Sequence, residues 1–222
     1  MTFAHALVLA DGSVEPAPEI DRAWPGWSDA VDLVIAADGG ARHAPALGVR
    51  IDRWVGDGDS IDASALEDLA RAGVAIARSP ADKDETDAEL AVVAAVEAGA
   101  RRVTIVGAMG GERLDHELGN IWLLAHPRVA GRDARLVGAR TRIRLIGPGR
   151  ADLTGRVGDL VSLLPFGGDA TGITTAGLRY PLRDEPLLIG PSRGVSNVRE
   201  RADAAVEIQT GRLLVVETPA RL

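Results

Sequence analysis

The apolar positions in the first half of the chain fall in short runs, separated by stretches with helical spacing. Residues 6–10 form one such run, ending at Asp11 and Gly12, and read as a buried strand. The Pro-rich segment 14–25 reads as a loop with room for one helical turn. A second strand over 32–37 ends at Asp38, Gly39 and Gly40, followed by helical spacing through Leu47. Trp54 and Val55 mark a third strand. Ser64 with Glu67, and Thr86 with Glu89, have capping-box spacing. They predict helices starting there and stopping near Gly73 and Gly99, with a fourth strand over 74–77 between them. Residues 103–106 predict a fifth strand, and the stretch GAMGGERLDHELGNIWLL after it reads as a glycine turn opening into a helix. Strand and helix in regular alternation imply right-handed crossovers and a mostly parallel sheet with flanking helices, a Rossmann-like α/β layout.

The pattern changes between residues 128 and 140. Beyond it Gly and Pro are frequent and no helical spacing stands out. Arg142 and Arg144 alternate with Ile143 and Leu145, and Glu207 and Gln209 with Val206 and Ile208, as antiparallel strands with one wet face do. The chain therefore divides into an α/β domain over residues 1–130 and an antiparallel β-sandwich over 131–222.

Composition narrows the chemistry. A net charge of −7 and the lack of any basic run argue against nucleic-acid or anionic-membrane partners. The chain has no cysteine, which excludes thiolate metal sites and cysteine nucleophiles. Its opening apolar run is short, with no Lys or Arg before Arg22, so neither a signal peptide nor a membrane span is expected and the cytoplasm is the expected compartment.

Acidic residues gather at the strand ends. Asp57 and Asp59 are two apart in RWVGDGDSID, so an extended strand end points both to one side. Two such carboxylates repel unless a proton or metal lies between them, and oxygen-only ligands suit Mg²⁺ shared with substrate phosphates. The next turn reads SPADKDETD, where Asp87 is a third candidate ligand and Lys83 is the only lysine among 25 Lys+Arg. Taken singly, Thr86 is an N-cap and Asp87 complements a helix dipole. Neighbouring turns of a parallel sheet lie side by side, so the three aspartates are expected to face one metal.

Asp38 with Gly39 and Gly40, and Gly107 with Gly110 and Gly111, add turns at the same edge whose N–H groups suit a phosphate. Arg113 offers phosphate neutralisation, and Asp115 shares a helix face with Gly119, as His116 does with Asn120. A P-loop, a G-x-G-x-x-G fingerprint and a G-x-S-x-G elbow are all missing from the sequence. The residues thus point to a Mg²⁺-dependent enzyme acting on a phosphorylated compound.

Taken in order, ADGG at 37–40, GDGDS at 56–60, DKDETD at 82–87 and GGERLDHELGN at 110–120 resemble the thiamine pyrophosphokinase family, as do SLLPFGG, TTAGLRYPL and SRGVSN in the second half. The resemblance implies transfer of pyrophosphate from ATP to the hydroxyethyl hydroxyl of thiamine, giving thiamine diphosphate and AMP. It implies a homodimer with active sites between subunits. Carried over, Asp57, Asp59 and Asp87 hold Mg²⁺ on the ATP phosphates. Asp38, Gly39, Gly40, Lys83, Thr86 and the turn from Gly107 through Gly110, Gly111 and Arg113 to Asp115 line the nucleotide and substrate cleft. Tyr180, Ser192, Ser196 and Asn197 meet thiamine. Gly58 departs from the family, which usually has a large apolar residue there. Two rivals stand beside this reading: a kinase or pyrophosphokinase for another hydroxylated heterocycle, and a non-catalytic nucleotide-binding relative.

Overall fold

The computed structural model describes residues 3–220, and the outermost residues of both expected domains, 1–2 and 221–222, lie outside it. The described residues separate into two units, one through Ala139 and one from Arg140.

The first unit carries β1 (His5–Leu9), α1 (Ala17–Ala23), β2 (Leu33–Ala37), α2 (Ala44–Leu47), β3 (Arg53–Gly56), α3 (Ala63–Arg71), β4 (Ala75–Arg78), α4 (Asp87–Glu97), β5 (Arg102–Val106), α5 (Leu114–Trp122) and β6 (Asp133–Gly138). The strands pair in parallel in the order β6-β5-β1-β2-β3-β4. Every residue of β1 and β2 is buried, because a central parallel strand is covered on both faces. Leu7, Leu9, Val34 and Ala36 line one face and cluster with Ile20, Trp24, Trp27, Leu47 and Leu66. Helix α4 lies across β1, β2 and β3, burying Ala91, Val92, Ala95 and Val96. Small side chains at those positions let its backbone approach the sheet.

Three local expectations need correction. The Pro-rich loop contains a helix of two turns, α1, started by a proline in its first turn and held by burial of Ile20 and Ala23. Helix α3 begins at Ala63 behind Asp62, so Ser64 lies inside the first turn and does not cap it. Amphipathic spacing extends one residue upstream of the serine, and the helix follows the spacing. The segment 133–138 is a parallel strand on β5, so the first unit runs nine residues past the expected boundary. Its polar residues Asp133 and Arg135 pair with each other, which hid a strand that buries Leu136 and Val137.

The second unit is an antiparallel sandwich of β7 (Thr141–Ile146), β8 (Gly149–Asp152), β9 (Leu160–Pro165), β10 (Ala170–Ala176), β11 (Glu185–Leu187), β12 (Asn197–Val198), β13 (Ala205–Ile208) and β14 (Leu213–Thr218). One sheet orders β12-β9-β14-β7 and the other β11-β10-β13-β8. Val161, Leu163, Leu213 and Val215 from the first meet Ile173, Leu187, Val206 and Ile208 from the second in one core. Arg142, expected on the wet face, is buried. Its guanidinium lies 2.7 Å from Glu217, whose other oxygen takes the buried Arg199 at 3.0 Å. A buried charge is tolerated where it is paired in this way.

Candidate active site

Because β2, β3 and β4 are neighbours, the turns that follow them are neighbours too, all at the carboxyl end of the sheet. Asp38 is the first residue after β2 and adopts a left-handed backbone, φ +41°. Gly56 at the end of β3 makes room for it, since a Cβ at Gly56 would stand 2.9 Å from that of Asp38. The indole of Trp54 donates to the Asp38 carbonyl at 3.1 Å and fixes the turn from below. Asp38 is 3% exposed. One carboxyl oxygen accepts from the Ser60 amide at 3.3 Å, and the other is buried without a partner. Burial, reinforced by the neighbouring charges of Asp87 and Asp59, raises this carboxyl to about 6.

Asp57 and Asp59 follow β3 with Gly58 between them at φ +89°. The turn closes on itself: Asp57 accepts from the Asp59 amide at 3.1 Å, and the Ser60 hydroxyl donates to Asp59 at 2.8 Å. The Asp59 amide and the Lys83 ammonium hold the Asp57 carboxyl below its usual range. One oxygen each from Asp38, Asp57 and Asp59 lie within 4.8 Å of one another. That spacing and an oxygen-only donor set fit a hard divalent cation, and the unpartnered oxygen of Asp38 is a ligand in waiting.

Asp57, Asp59 and Asp87 all stand at this edge, with two different sets of neighbours. Asp38, expected among the nucleotide-lining residues, joins Asp57 and Asp59, while Asp87 stands across Lys83, whose ammonium is 3.1 Å from both Asp57 and Asp87. Thr86 caps α4, accepting from the Glu89 amide at 3.2 Å, which sets Asp87 in the first turn. Ser79, the residue after β4, approaches Asp87 at 3.5 Å.

The glycine turns owe much to packing. Gly39 and Gly40 lie in the 3-10 turn after β2, and a Cβ on Gly40 would overlap the Leu9 carbonyl oxygen. Gly107 accepts from the Gly12 amide at 2.7 Å and Met109 from Ser13 at 2.9 Å, which ties the turn after β5 to that after β1; the Ser13 hydroxyl donates to Gly110. Gly111 follows in the same loop. Arg113 pairs with Asp115 at 2.6 Å in the open, Asp115 also accepts from the His116 amide at 3.1 Å, and Asn120 donates to Ala108 at 3.0 Å. Two residues that sequence reasoning passed over belong to this edge: Asp11, after β1, pairs with Arg42. The signal was present, since Asp11 ends an apolar run just as Asp38 does.

In the second unit, Asn197 uses its side chain on backbone: it accepts from the Tyr180 and Val198 amides at 3.0 and 2.9 Å and donates to the Tyr180 carbonyl at 2.7 Å. Ser196 adopts φ +59° and its amide donates to Ser162 at 3.0 Å. The Ser192 carbonyl accepts from Val195, and the Tyr180 ring is exposed.

Carboxylates gathered at the carboxyl end of a parallel sheet, in an oxygen-only group that fits a divalent cation, with an antiparallel sandwich on the same chain, are the features of a two-unit α/β protein whose ligand site lies at that sheet edge. Residues 26–136 match the family model described as thiamin pyrophosphokinase, catalytic domain, and residues 151–215 match thiamin pyrophosphokinase, vitamin B1 binding domain. The chain belongs to the thiamin pyrophosphokinase family, the enzymes that transfer pyrophosphate from ATP to thiamine. It is 28% identical over 212 residues to the thiamine pyrophosphokinase of Bacillus subtilis (strain 168), covering 95% of this chain and 97% of that one. A crystal structure of the Bacillus subtilis enzyme superposes with a TM-score of 0.84 at 26% identity, covering 98% of this chain and all of the other. That from Geobacillus thermodenitrificans gives 0.81 at 25%, covering 96% and 97%. The Candida albicans enzyme, at 15% identity and TM-score 0.80, shares the fold over 97% of this chain and 89% of its own. Among the described residues no helix is long and apolar enough to cross a membrane.

Proposed function

We propose that the chain transfers the pyrophosphoryl group of ATP to the hydroxyethyl hydroxyl of thiamine with Mg²⁺ at the Asp38–Asp57–Asp59 niche, as a cytoplasmic homodimer. The observation that carries the metal assignment is the close approach of those carboxylate oxygens, one of them buried and unpartnered. Asp87 completes the acidic wall. The bound ion supplies neutralisation of phosphate charge. The hydroxyl oxygen forms a bond to the β-phosphorus, the bond from that phosphorus to the α–β bridging oxygen breaks, the hydroxyl proton is lost and AMP leaves. Positioning and charge neutralisation dominate such a transfer, so the protein needs no covalent intermediate. Arg113 and the turns carrying Gly39, Gly40, Gly107, Gly110 and Gly111 stand at the same sheet end as donors for the nucleotide.

The match of residues 151–215 to a vitamin B1 binding domain supports a thiamine role for the second unit, with Tyr180, Ser192 and Ser196 as contacts and Asn197 shaping the backbone beside them. On α5, Leu114, Leu118 and Trp122 recur every four residues and are 68%, 41% and 56% exposed, an apolar stripe that supports burial against a second copy. ATP, the co-substrate, supports a cytoplasmic location. The test is incubation of purified protein with thiamine, ATP and Mg²⁺, with and without EDTA, followed by chromatography. Equimolar AMP and thiamine diphosphate that vanish with EDTA are expected; ADP with thiamine monophosphate, or no product from folded protein, refutes the assignment.

A further inference from the structure

Lys83, the only lysine of the chain, stands inside the acidic cluster. Its Nζ lies 3.1 Å from Asp57, 3.1 Å from Asp87 and 3.1 Å from the Pro80 carbonyl oxygen. The ammonium donates to Asp57 and to the Pro80 carbonyl and is ion-paired with Asp87. The three side chains are largely covered, at 12% exposure for Lys83, 13% for Asp57 and 22% for Asp87, so solvent screens their charges only partly.

Asp57 serves two arrangements at once: it is a partner of the ammonium and a member of the oxygen niche with Asp38 and Asp59. A hard divalent ion takes carboxylate oxygens at about 2.1 Å and carries twice the charge of an ammonium. Two cations on the same carboxylate repel strongly where water is scarce. The lysine and the metal therefore compete for Asp57, and Asp87 is unavailable to the metal while the lysine holds it.

We propose that Lys83 is an internal counter-ion: it neutralises Asp57 and Asp87 in the empty enzyme and is exchanged for the metal when the nucleotide arrives, its ammonium passing to phosphate oxygens. This rests on the metal-dependent reading above. A bare cation must displace the ammonium from Asp57 while supplying no new acceptor for it, so it binds weakly. A metal–nucleotide complex brings both the replacement charge and the new acceptors. Metal and nucleotide consequently raise each other's affinity, through one side chain.

Binding of Mn²⁺ alone to the full chain, followed by electron paramagnetic resonance of the free ion, tests the exchange without catalysis. Lys83→Met should bind Mn²⁺ at least about tenfold more tightly than wild type, while Lys83→Arg, which keeps the charge, stays near it. Equal or weaker binding by Lys83→Met overturns the proposal. The unsubstituted protein gives a second readout, since reductive methylation with ¹³C-formaldehyde labels one lysine beside the terminal amine. Mg²⁺ with α,β-methylene-ATP should move the lysine resonance, and a resonance that stays put overturns the exchange. Wild type that makes thiamine diphosphate while failing both tests sinks the lysine role alone; folded protein that makes none sinks the reaction assignment.

Discussion

At the scale of single residues, the turns at the sheet's carboxyl end leave little slack. A methyl group at Gly40 would collide with the carbonyl of Leu9, a backbone atom that cannot swing aside. Gly40→Ala should lower the free energy of unfolding by at least about 2 kcal/mol, the range of an overpacked interior, read from the urea midpoint at constant slope. An unchanged midpoint would mean that the turn is not packed as described. Asp57 and Asp59 were legible as a pair because period-two geometry alone puts them on one side. Asp38 was legible as a strand-end acid but not as their partner. Its closeness depends on the register that sets Ala37 opposite Val55, and on a glycine at 56 that admits its Cβ. Lys83 was conspicuous in the sequence, yet its grip on two carboxylates at once depends on how the loop before α4 folds back.

At the scale of elements, local signals succeeded where they agreed with burial. Thr86 caps α4 as its spacing with Glu89 predicts, because α4 must also start there to lay its alanines on the sheet. The same spacing at Ser64 failed because the amphipathic stretch begins before it. β6 escaped notice since charged residues interrupt its apolar run, and Arg142 was set on the wrong face since its buried partner, Glu217, is far along the chain. One consequence at this scale concerns β1. His5 is 2% exposed, with its ring nitrogens 2.8 Å from the Asp29 carbonyl and 2.8 Å from the Thr104 hydroxyl. Burial lowers its pKa from 6.5, so the neutral ring is the folded form. The unfolded chain then binds the extra proton first, and stability present above pH 6.5 is lost as pH falls through the lowered folded value. Urea midpoints at pH 7.5 and 5.0 should fall more for wild type than for His5→Gln; equal falls would remove His5 from the acid sensitivity.

At the scale of the whole molecule, the two-part division was legible because hydrophobic period changes along the chain, from helical spacing between apolar runs to alternation. The identity of the acceptor was not, since no elementary rule links serines and a tyrosine on a sandwich to a pyrimidine–thiazolium substrate; ordered motifs supplied it, and the two family matches support it. The stripe on α5 predicts the assembly. Leu118→Glu combined with Trp122→Glu should convert a dimer to a monomer by light scattering while leaving the circular dichroism spectrum unchanged, and a dimer that survives both charges places the interface elsewhere.

The central claim is that the carboxylate niche at the ends of β2 and β3 drives the transfer. It is tested most directly by the turnover of Asp57→Asn and Asp59→Asn with saturating thiamine and ATP, each variant shown to be folded by circular dichroism. The account predicts a loss of about a hundredfold or more in each, the scale of a lost transition-state stabiliser. Turnover within a few fold of wild type in either folded variant would contradict it.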